Sequence, residues 1–245
     1  MTKKQLHSYA AKTHKWIGLI LGVQLLFWMI GGLVMTWLPL DTVRGEHKVN
    51  EKPATALMAT ANFMPLKVLV AKSDKPVSEV FYTMWLGRPV AKLRLYGGGR
   101  EIRSAIDGAL LSPVSKELAE QIAVADYKLS APVFSVVSLS KHSVDYRGRL
   151  PVWQILFDDA ENTALYVSPE EGRVVARRSS IWRFYDFFWM LHIMDYDERH
   201  DTNNWLVMTT SLFAALFAIS GIVLLFFRFH KRDFKHLFRA RKSTL

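Results

Sequence analysis

The sequence predicts an α+β membrane protein in which two transmembrane helices flank an extracytoplasmic domain of helices and antiparallel hairpins. Three observations favour this class: two long uncharged runs, basic residues concentrated at both ends, and two similar alternating segments between the runs. The chain has 245 residues, 50% of them hydrophobic. Because about 160 residues separate the two runs, the intervening segment must fold rather than act as a simple connection.

Each uncharged run is long enough to cross a lipid bilayer. The first covers 25 residues, 16–40, and the second covers 23 residues, 205–227. About 20 mostly apolar residues cross the hydrocarbon core as a helix, and Trp16 and Trp205 stand at predicted membrane boundaries. The first run exceeds the roughly 15 apolar residues of a secretory signal and lacks a small-residue cleavage pattern. We therefore expect a retained anchor.

The charge distribution predicts the orientation of the chain. The tails, 1–15 and 228–245, hold eleven basic residues and one acid, which account for the whole formal charge of +10. Excess Lys and Arg marks the cytoplasmic side, so both termini are expected inside and residues 41–204 outside. The tails are thus assigned to topology and anionic lipid rather than to nucleic acid. The absence of cysteine fits an extracytoplasmic domain without disulfides.

Two stretches between the runs share one pattern. PVAKLRLYGGGREIRSAIDGALLSP at 89–113 and PVWQILFDDAENTALYVSPEEGRVV at 151–175 both begin with Pro-Val, alternate apolar and polar residues, and reach an acidic-Gly pair. Alternation of this kind predicts half-buried strands joined as hairpins. Helices are expected before the hairpins, at 54–72 and 115–125. The pattern therefore predicts two helix-plus-hairpin modules.

These observations predict a definite order of segments. The order is a cytoplasmic tail, the first transmembrane helix, the extracytoplasmic domain with its two modules, an interfacial aromatic helix with an acidic turn, the second transmembrane helix and a basic cytoplasmic tail. The predicted bounds are 1–15, 16–40, 41–180 (modules at about 54–113 and 115–177), 181–203, 204–228 and 229–245.

Three segments together resemble the PepSY-associated transmembrane family. The hairpin at 151–175 is similar to a PepSY module, and HKWIGLILGVQLLFWMIGGL resembles the family's first helix. LHIMDYDERHDTNNWL and the second uncharged run resemble a later Leu-His segment and a closing helix. The resemblance implies a bacterial inner-membrane protein related to haem-containing reductases of iron chelates, some of which carry a fused flavin reductase domain. Such relatives commonly have four transmembrane helices, whereas this chain has two.

The resemblance carries the family's histidines over to His14 and His192, as ligands of haem b. Within the predicted helix 181–194, His192 shares a face with Phe188, Trp189 and Tyr196, opposite Arg183. An apolar wall around one nitrogen suits an axial haem ligand, but the same pattern suits an anchor at the outer membrane surface. His14, next to Lys15, also fits an interfacial cation.

The pairing of these histidines stays open at this point. One membrane crossing is expected to separate His14 from His192 by roughly 30 Å, so the two do not share an iron within one chain. A homodimer would restore four helices, with Gly18 and Gly22 as a surface for close helix approach. The further candidate partners are His230 or a second copy for His14, and His200, His47 or a second copy for His192.

The acidic turn DYDERHD supplies the last candidate surface. Asp195, Asp197 and Glu198 offer oxygen ligands to a hard cation or contacts to a ferric chelate; alternatively, the turn is solvated and caps the second helix. No nucleotide-binding motif is present, so an electron donor would be a separate flavin-dependent reductase. Two functions follow: a haem-b electron-transfer subunit serving an outer acceptor such as a ferric chelate, or an anchored module that binds proteins or modulates a peptidase.

Overall fold

The computed structural model describes residues 2–50, 57 and 62–228. The chain divides into a helical unit, Met1–Trp37 with Asp186–Leu245, and a central unit, Leu38–Tyr185. Long apolar helices belong to the helical unit, whereas the central unit contains antiparallel sheets and short helices. The predicted fold class is confirmed.

Two helices of the helical unit are long and apolar enough to cross a membrane. Helix α1 is Lys3–Trp37 and helix α6 is Trp205–Arg228. Both candidate spans have a mean hydropathy of 2.2, and 11% of each apolar window is buried. Most of these apolar side chains therefore face outward, as they do in a helix surrounded by lipid. Helix α1 ends shortly before Pro39, which disfavours helical conformation in the residue preceding it.

Helix α5, Ser180–Ile193, precedes the second apolar helix. It ends where Met194 takes the left-handed conformation with φ 55, a common way for a helix to stop. Tyr196 therefore lies beyond the helix, and the predicted face shared by His192 and Tyr196 is wrong. Residues of α5 from Asp186 onward belong to the helical unit.

The first sheet of the central unit has three antiparallel strands in chain order. These are β1 (Val77–Trp85), β2 (Arg88–Leu95) and β3 (Arg100–Ser104), preceded by the short helices α2 (Leu40–Val43) and α3 (Leu66–Ala71) with a 3₁₀ turn at Glu46–Lys48. The hairpin predicted at 89–113 forms β2 and β3. Helix α3 covers the end of the helix predicted at 54–72, of which residues 54–56 and 58–61 lie outside the described residues. Strand β1 has no counterpart in the sequence prediction.

The second sheet has four antiparallel strands in chain order. They follow helix α4 (Lys116–Asp126) and are β4 (Val133–Leu139), β5 (Val152–Phe157), β6 (Ala164–Ser168) and β7 (Arg173–Arg178). Ser115 caps the first turn of α4, because its side chain accepts a hydrogen bond from the Leu118 amide. The predicted hairpin at 151–175 forms β5 and β6. Both sheets thus repeat a helix, an edge strand and a hairpin that begins at Pro-Val.

Candidate functional site

His14 on α1 faces the interior of the helical unit and packs against α6. Its Nδ1 lies 3.2 Å from the carbonyl oxygen of Phe217 and 3.1 Å from Oγ of Ser220. Its ring stacks on the Phe217 ring, with centroids 4.1 Å apart and an interplanar angle of 10°. Two atoms of one α6 turn and one aromatic ring therefore fix the orientation of the imidazole.

The hydrogen bonds of His14 also fix its tautomer. The Ser220 hydroxyl donates to the Phe217 carbonyl at 2.7 Å, so its oxygen faces His14 as an acceptor. A carbonyl oxygen can only accept. Nδ1 therefore donates in this arrangement, and in the neutral ring Nε2 keeps the lone pair. A histidine that binds a metal commonly donates its other N–H to a backbone carbonyl, as His14 does.

A glycine on α6 makes room for this ring. A Cβ at Gly221 would lie 3.0 Å from Cε1 of His14, closer than ordinary van der Waals contact. On α1, a Cβ at Gly18 would lie 2.6 Å from Cε2 of Phe217, the ring on which His14 stacks. Gly18 thus serves a contact within the chain, whereas nothing lies within 4 Å of a Cβ at Gly22.

His14 faces an apolar part of α6 rather than its end. Beyond Gly221, residues 222–227 are all apolar, which at 1.5 Å per residue extends the apolar surface by about 9 Å. Judged by α6, the imidazole lies inside the apolar layer, although Lys12 and Lys15 flank it on α1. Lysines at such positions extend their charged ends toward the head groups.

His192, in the last turn of α5, packs against the middle of α1. The indole Nε1 of Trp28 donates to the His192 carbonyl at 2.7 Å, and the two rings lie 6.5 Å apart between centroids. A Cβ at Gly31 would lie 3.5 Å from Cβ of His192 and 3.6 Å from its Nδ1. This Nδ1 is buried without a hydrogen-bond partner.

The end of α5 has neighbours on both long helices, because Ile193 accepts from Asn204 before α6 and His192 lies beside Trp28 and Gly31 of α1. The expected position of His192 at the outer membrane surface stays a prediction. Trp28 and Gly31 lie near the middle of the predicted span 16–40, so the end of α5 lies beside the apolar part of α1. The seventeen residues from His14 to Gly31 correspond to about 25 Å along the helix axis. The two imidazoles therefore occupy different levels of the helical unit.

The acidic turn after α5 uses its first carboxylate to hold its own backbone. The oxygens of Asp195 accept hydrogen bonds from the amides of Glu198, His200 and Asp201 at 2.9–3.1 Å. Burial alone would raise the pKa of Asp195, but these amides together hold that pKa below its ordinary value of 3.8. Asp195 is thus a structural residue of the turn.

Three further interactions join this turn to neighbouring helices. Arg199 binds the buried carboxylate of Asp186 on α5 at 2.7 Å, and its carbonyl accepts from the indole of Trp189 at 3.1 Å. Asn204 caps α6, because its Oδ1 accepts from the Val207 amide at 2.9 Å. The predicted cap of the second helix is therefore present.

The other predicted residues occupy varied positions. Asp197 and Glu198 are exposed, and His200 is exposed with Nε2 3.4 Å from the Glu198 carboxylate. His47 belongs to the central unit, and His230 lies outside the described residues. Among the described residues, no hydrogen bond or ring contact joins His14 or His192 to a second histidine, and no group of three or more metal-ligating side chains occurs.

Sequence reasoning missed the residues that surround the two imidazoles. Ser220, Gly221 and Gly31 are ordinary residues of apolar helices and carry no local signal of this role. Gln24 is different, because a long polar side chain in the middle of an apolar run is expected to bond within the protein. The position of Gln24 could therefore have indicated a contact within the protein, but not which residue it contacts.

The helical unit and the central α+β unit define an integral membrane protein with a folded domain between its two apolar helices. The family model described as PepSY-associated TM region matches residues 11–245. The chain therefore belongs to this family, and the family predicted from the sequence is confirmed. No curated protein and no solved structure matches the chain.

Proposed function

We propose that this protein is a haem-b subunit that carries electrons across the bacterial inner membrane to an extracytoplasmic acceptor such as a ferric chelate. One observation supports this proposal above the others: each of two imidazoles in the apolar unit keeps a ring nitrogen without a hydrogen bond to the described residues. The Nδ1 of His192 is in addition buried without a partner, which costs free energy. Coordination of a metal would offset that cost.

The surroundings of His14 and of His192 are both compatible with haem ligation. His14 presents Nε2 with its lone pair, because Nδ1–H is committed to Phe217 and Ser220. His192 is an imidazole beside Trp28 and Gly31 with a buried, unpartnered Nδ1. When bound, haem b supplies a reversible one-electron couple whose potential depends on axial ligands, hydrogen bonding and burial. Two ligands about 25 Å apart along α1 would place such couples at different depths.

The surrounding residues contribute orientation and a low dielectric. Phe217 holds the His14 ring in one plane by stacking. The Ser220 hydroxyl oxygen offers a second acceptor to the Nδ1–H of His14. Both long helices are apolar, with a mean hydropathy of 2.2 over their candidate spans, which favours a low dielectric around the imidazoles. A hydrogen bond from the outer nitrogen orients a metal-binding histidine, and Nδ1–H of His14 makes such a bond.

A haem-binding subunit would need a second protein ligand for each haem and an electron donor. His230 or a homodimer mate would complete the coordination of His14, and a second copy would complete that of His192. We assign both termini to the cytoplasm because the tails are basic, and a flavin-dependent reductase would deliver electrons there. The exposed carboxylates of Asp197 and Glu198 and the central unit then face the extracytoplasmic acceptor.

Absorption spectra of the purified protein from haem-replete cells test the proposal. We expect Soret and α bands in reduced-minus-oxidised spectra, with one component lost in His14→Ala, the other lost in His192→Ala, and both lost in the double variant. His142→Ala is the matched control, since His142 is an exposed central-unit histidine whose Nε2 lies 3.1 Å from the Gly148 carbonyl. Absence of bands in the unaltered protein, or bands that survive in the double variant, would overturn the proposal.

The topology has a separate test. A reporter that is active only in the cytoplasm, fused after Leu245, should be active, and the same reporter inserted in the exposed β2–β3 turn at Gly98 should be silent. The opposite pattern would contradict the assignment of the basic tails to the cytoplasm. Because the test needs no cofactor, it separates orientation from haem binding.

A further inference from the structure

Three consecutive carbonyls at the end of α5 each receive a side-chain hydrogen bond. Gln24 Nε2 donates to Leu191 at 3.0 Å, Trp28 Nε1 donates to His192 at 2.7 Å, and Asn204 Nδ2 donates to Ile193 at 2.9 Å. The donors come from α1 and from the residue before α6. Side chains from two separate segments of the helical unit therefore hydrogen-bond to the end of α5.

These carbonyls need partners because of their position. The last four carbonyls of a helix have no partner within that helix, and Ile193 and Met194 at the end of α5 are buried, which limits access of water. The end of α5 lies beside residues 24–31 of α1 and beside Asn204, the residue before α6. Side-chain donors are then the available means of satisfying these acceptors.

All three donors are uncharged and two lie on the apolar helix. An amide or an indole costs far less to place among apolar groups than an ammonium or guanidinium does. Thr36, another polar residue of α1, donates only to carbonyls of its own helix, Gly32 and Leu33. Gln24 and Trp28 thus differ from Thr36 in reaching a second helix.

We propose that Gln24, Trp28 and Asn204 are the positioning residues of His192: by capping the carbonyls of residues 191–193 they fix the depth and rotation of the last turn of α5, and with it the direction of the imidazole. The positioning of His192 does not depend on the proposed function. Only its consequence for haem binding rests on that function. His192 has no hydrogen bond on its ring Nδ1, so its backbone is what holds it.

Asn204 links this cap to the second apolar helix. Its Nδ2 donates to Ile193 on α5, while its Oδ1 accepts from Val207 at the start of α6. Asn204→Asp keeps the acceptor for Val207 and removes the donors to Ile193 and to the Asp201 carbonyl. The substitution therefore separates the cap of α5 from the cap of α6.

Amide hydrogen exchange in lipid nanodiscs tests the positioning without haem. We expect Gln24→Leu, Trp28→Phe and Asn204→Asp each to speed exchange in residues 188–193 by about fivefold, the effect of losing one net hydrogen bond at a helix end. Thr36→Val is the matched control and should leave this exchange unchanged. Unchanged exchange in all three variants, or equal acceleration in Thr36→Val, would overturn the positioning role.

The second measurement examines haem binding at His192 and at His14 separately, each in a variant that lacks the other histidine. In a His14→Ala background, Trp28→Phe should weaken haem retention by about 10–100-fold, the usual effect of altering an outer-shell partner, and shift the midpoint potential. In a His192→Ala background the same substitution should change neither quantity. Equal losses in both backgrounds would indicate general destabilisation and contradict the inference. If the unaltered protein binds no haem, the proposed function fails while the exchange data still decide the positioning role.

Discussion

The two histidines of the helical unit are held in opposite ways. His14 is held by its ring, which stacks on Phe217 and donates from Nδ1 to acceptors on α6. His192 is held by its backbone, whose carbonyl accepts from Trp28 while Nδ1 has no hydrogen-bond partner. The difference shows two means of orienting an imidazole within the helical unit: the side chain itself is bonded, or the helix end that carries it is bonded.

The two means have different consequences for chemistry. A tethered ring has one tautomer, so the proton and the lone pair of His14 are assigned before any ligand binds. An untethered ring takes its orientation from packing, here against Gly31 and Trp28. We therefore expect the His14 site to respond to changes near the ring and the His192 site to respond to changes at the end of α5.

Filling the glycine beside either ring should produce the largest effect. Gly221→Leu places side-chain atoms where Cε1 of His14 lies, and Gly31→Leu presses on the backbone carbonyl of Phe188, 3.3 Å from a Cβ at position 31. Overpacking of this kind costs about 1–3 kcal/mol. We expect loss of the His14 haem component in the first variant and of the His192 component in the second, measured by difference spectra.

The chain offers matched controls for these two substitutions. Nothing lies within 4 Å of a Cβ at Gly22 or Gly32 on α1, so Gly22→Leu and Gly32→Leu should leave both components intact. Loss of both components in Gly221→Leu alone would show that the two sites are not independent. If Gly31→Leu and Gly32→Leu lose equal amounts of the His192 haem component, the loss comes from impaired membrane insertion of α1. It then does not come from the contact between Gly31 and His192.

The fold class was predictable because its signals are local. The length of an uncharged run and the alternation after Pro-Val depend on neighbouring residues, and α1, α6 and both hairpins lie where these patterns indicate. Strands β1 and β4 escaped prediction because edge strands bury less of their surface and alternate weakly. The burial of β1, for example, is irregular along its length.

The surroundings of the histidines were not predictable because they join distant residues. More than 200 positions separate His14 from Ser220, and more than 160 separate Trp28 from His192. A helical wheel of 181–194 assigned a face to His192, but the depth of α5 depends on the donors of α1. The role of an isolated polar residue such as Gln24 can be assigned only when its acceptor is known.

Removing one acceptor from the His14 ring should have an intermediate effect. Ser220→Ala leaves the Phe217 carbonyl, 3.2 Å from Nδ1, as the remaining partner. We expect the His14 haem to bind about tenfold more weakly, at the lower end of outer-shell effects, with a shifted midpoint potential. Titration of haem into the apoprotein in a His192→Ala background measures the change.

The control for this variant is on the same helix. Ser211 is an exposed residue of α6, so Ser211→Ala should leave affinity and potential unchanged. Ser220→Thr keeps the hydroxyl and should restore most of the affinity. If Ser220→Ala and Ser220→Thr behave alike, the hydroxyl does not contribute to the site.

The smallest effect is expected from the acidic turn, through pH. The pKa of Asp195 is lower in the folded turn than its ordinary value of 3.8, because amides of Asp201, His200 and Glu198 outweigh the effect of burial. A carboxyl with a depressed pKa stabilises the turn above the ordinary value and loses that contribution as the pH falls through the folded value. Amide exchange of residues 195–201 should therefore be independent of this group near neutrality and accelerate below about pH 4.

Asp195→Asn isolates this contribution, because the amide side chain keeps one acceptor oxygen and does not titrate in this range. The variant should show the accelerated exchange already at neutral pH and lose the step below pH 4. Since Arg199 in the same turn binds Asp186 of α5, the His192 haem should weaken slightly while the His14 haem stays unchanged. An equal change at both histidines would contradict the separation of a site held by its ring from a site held by its helix end.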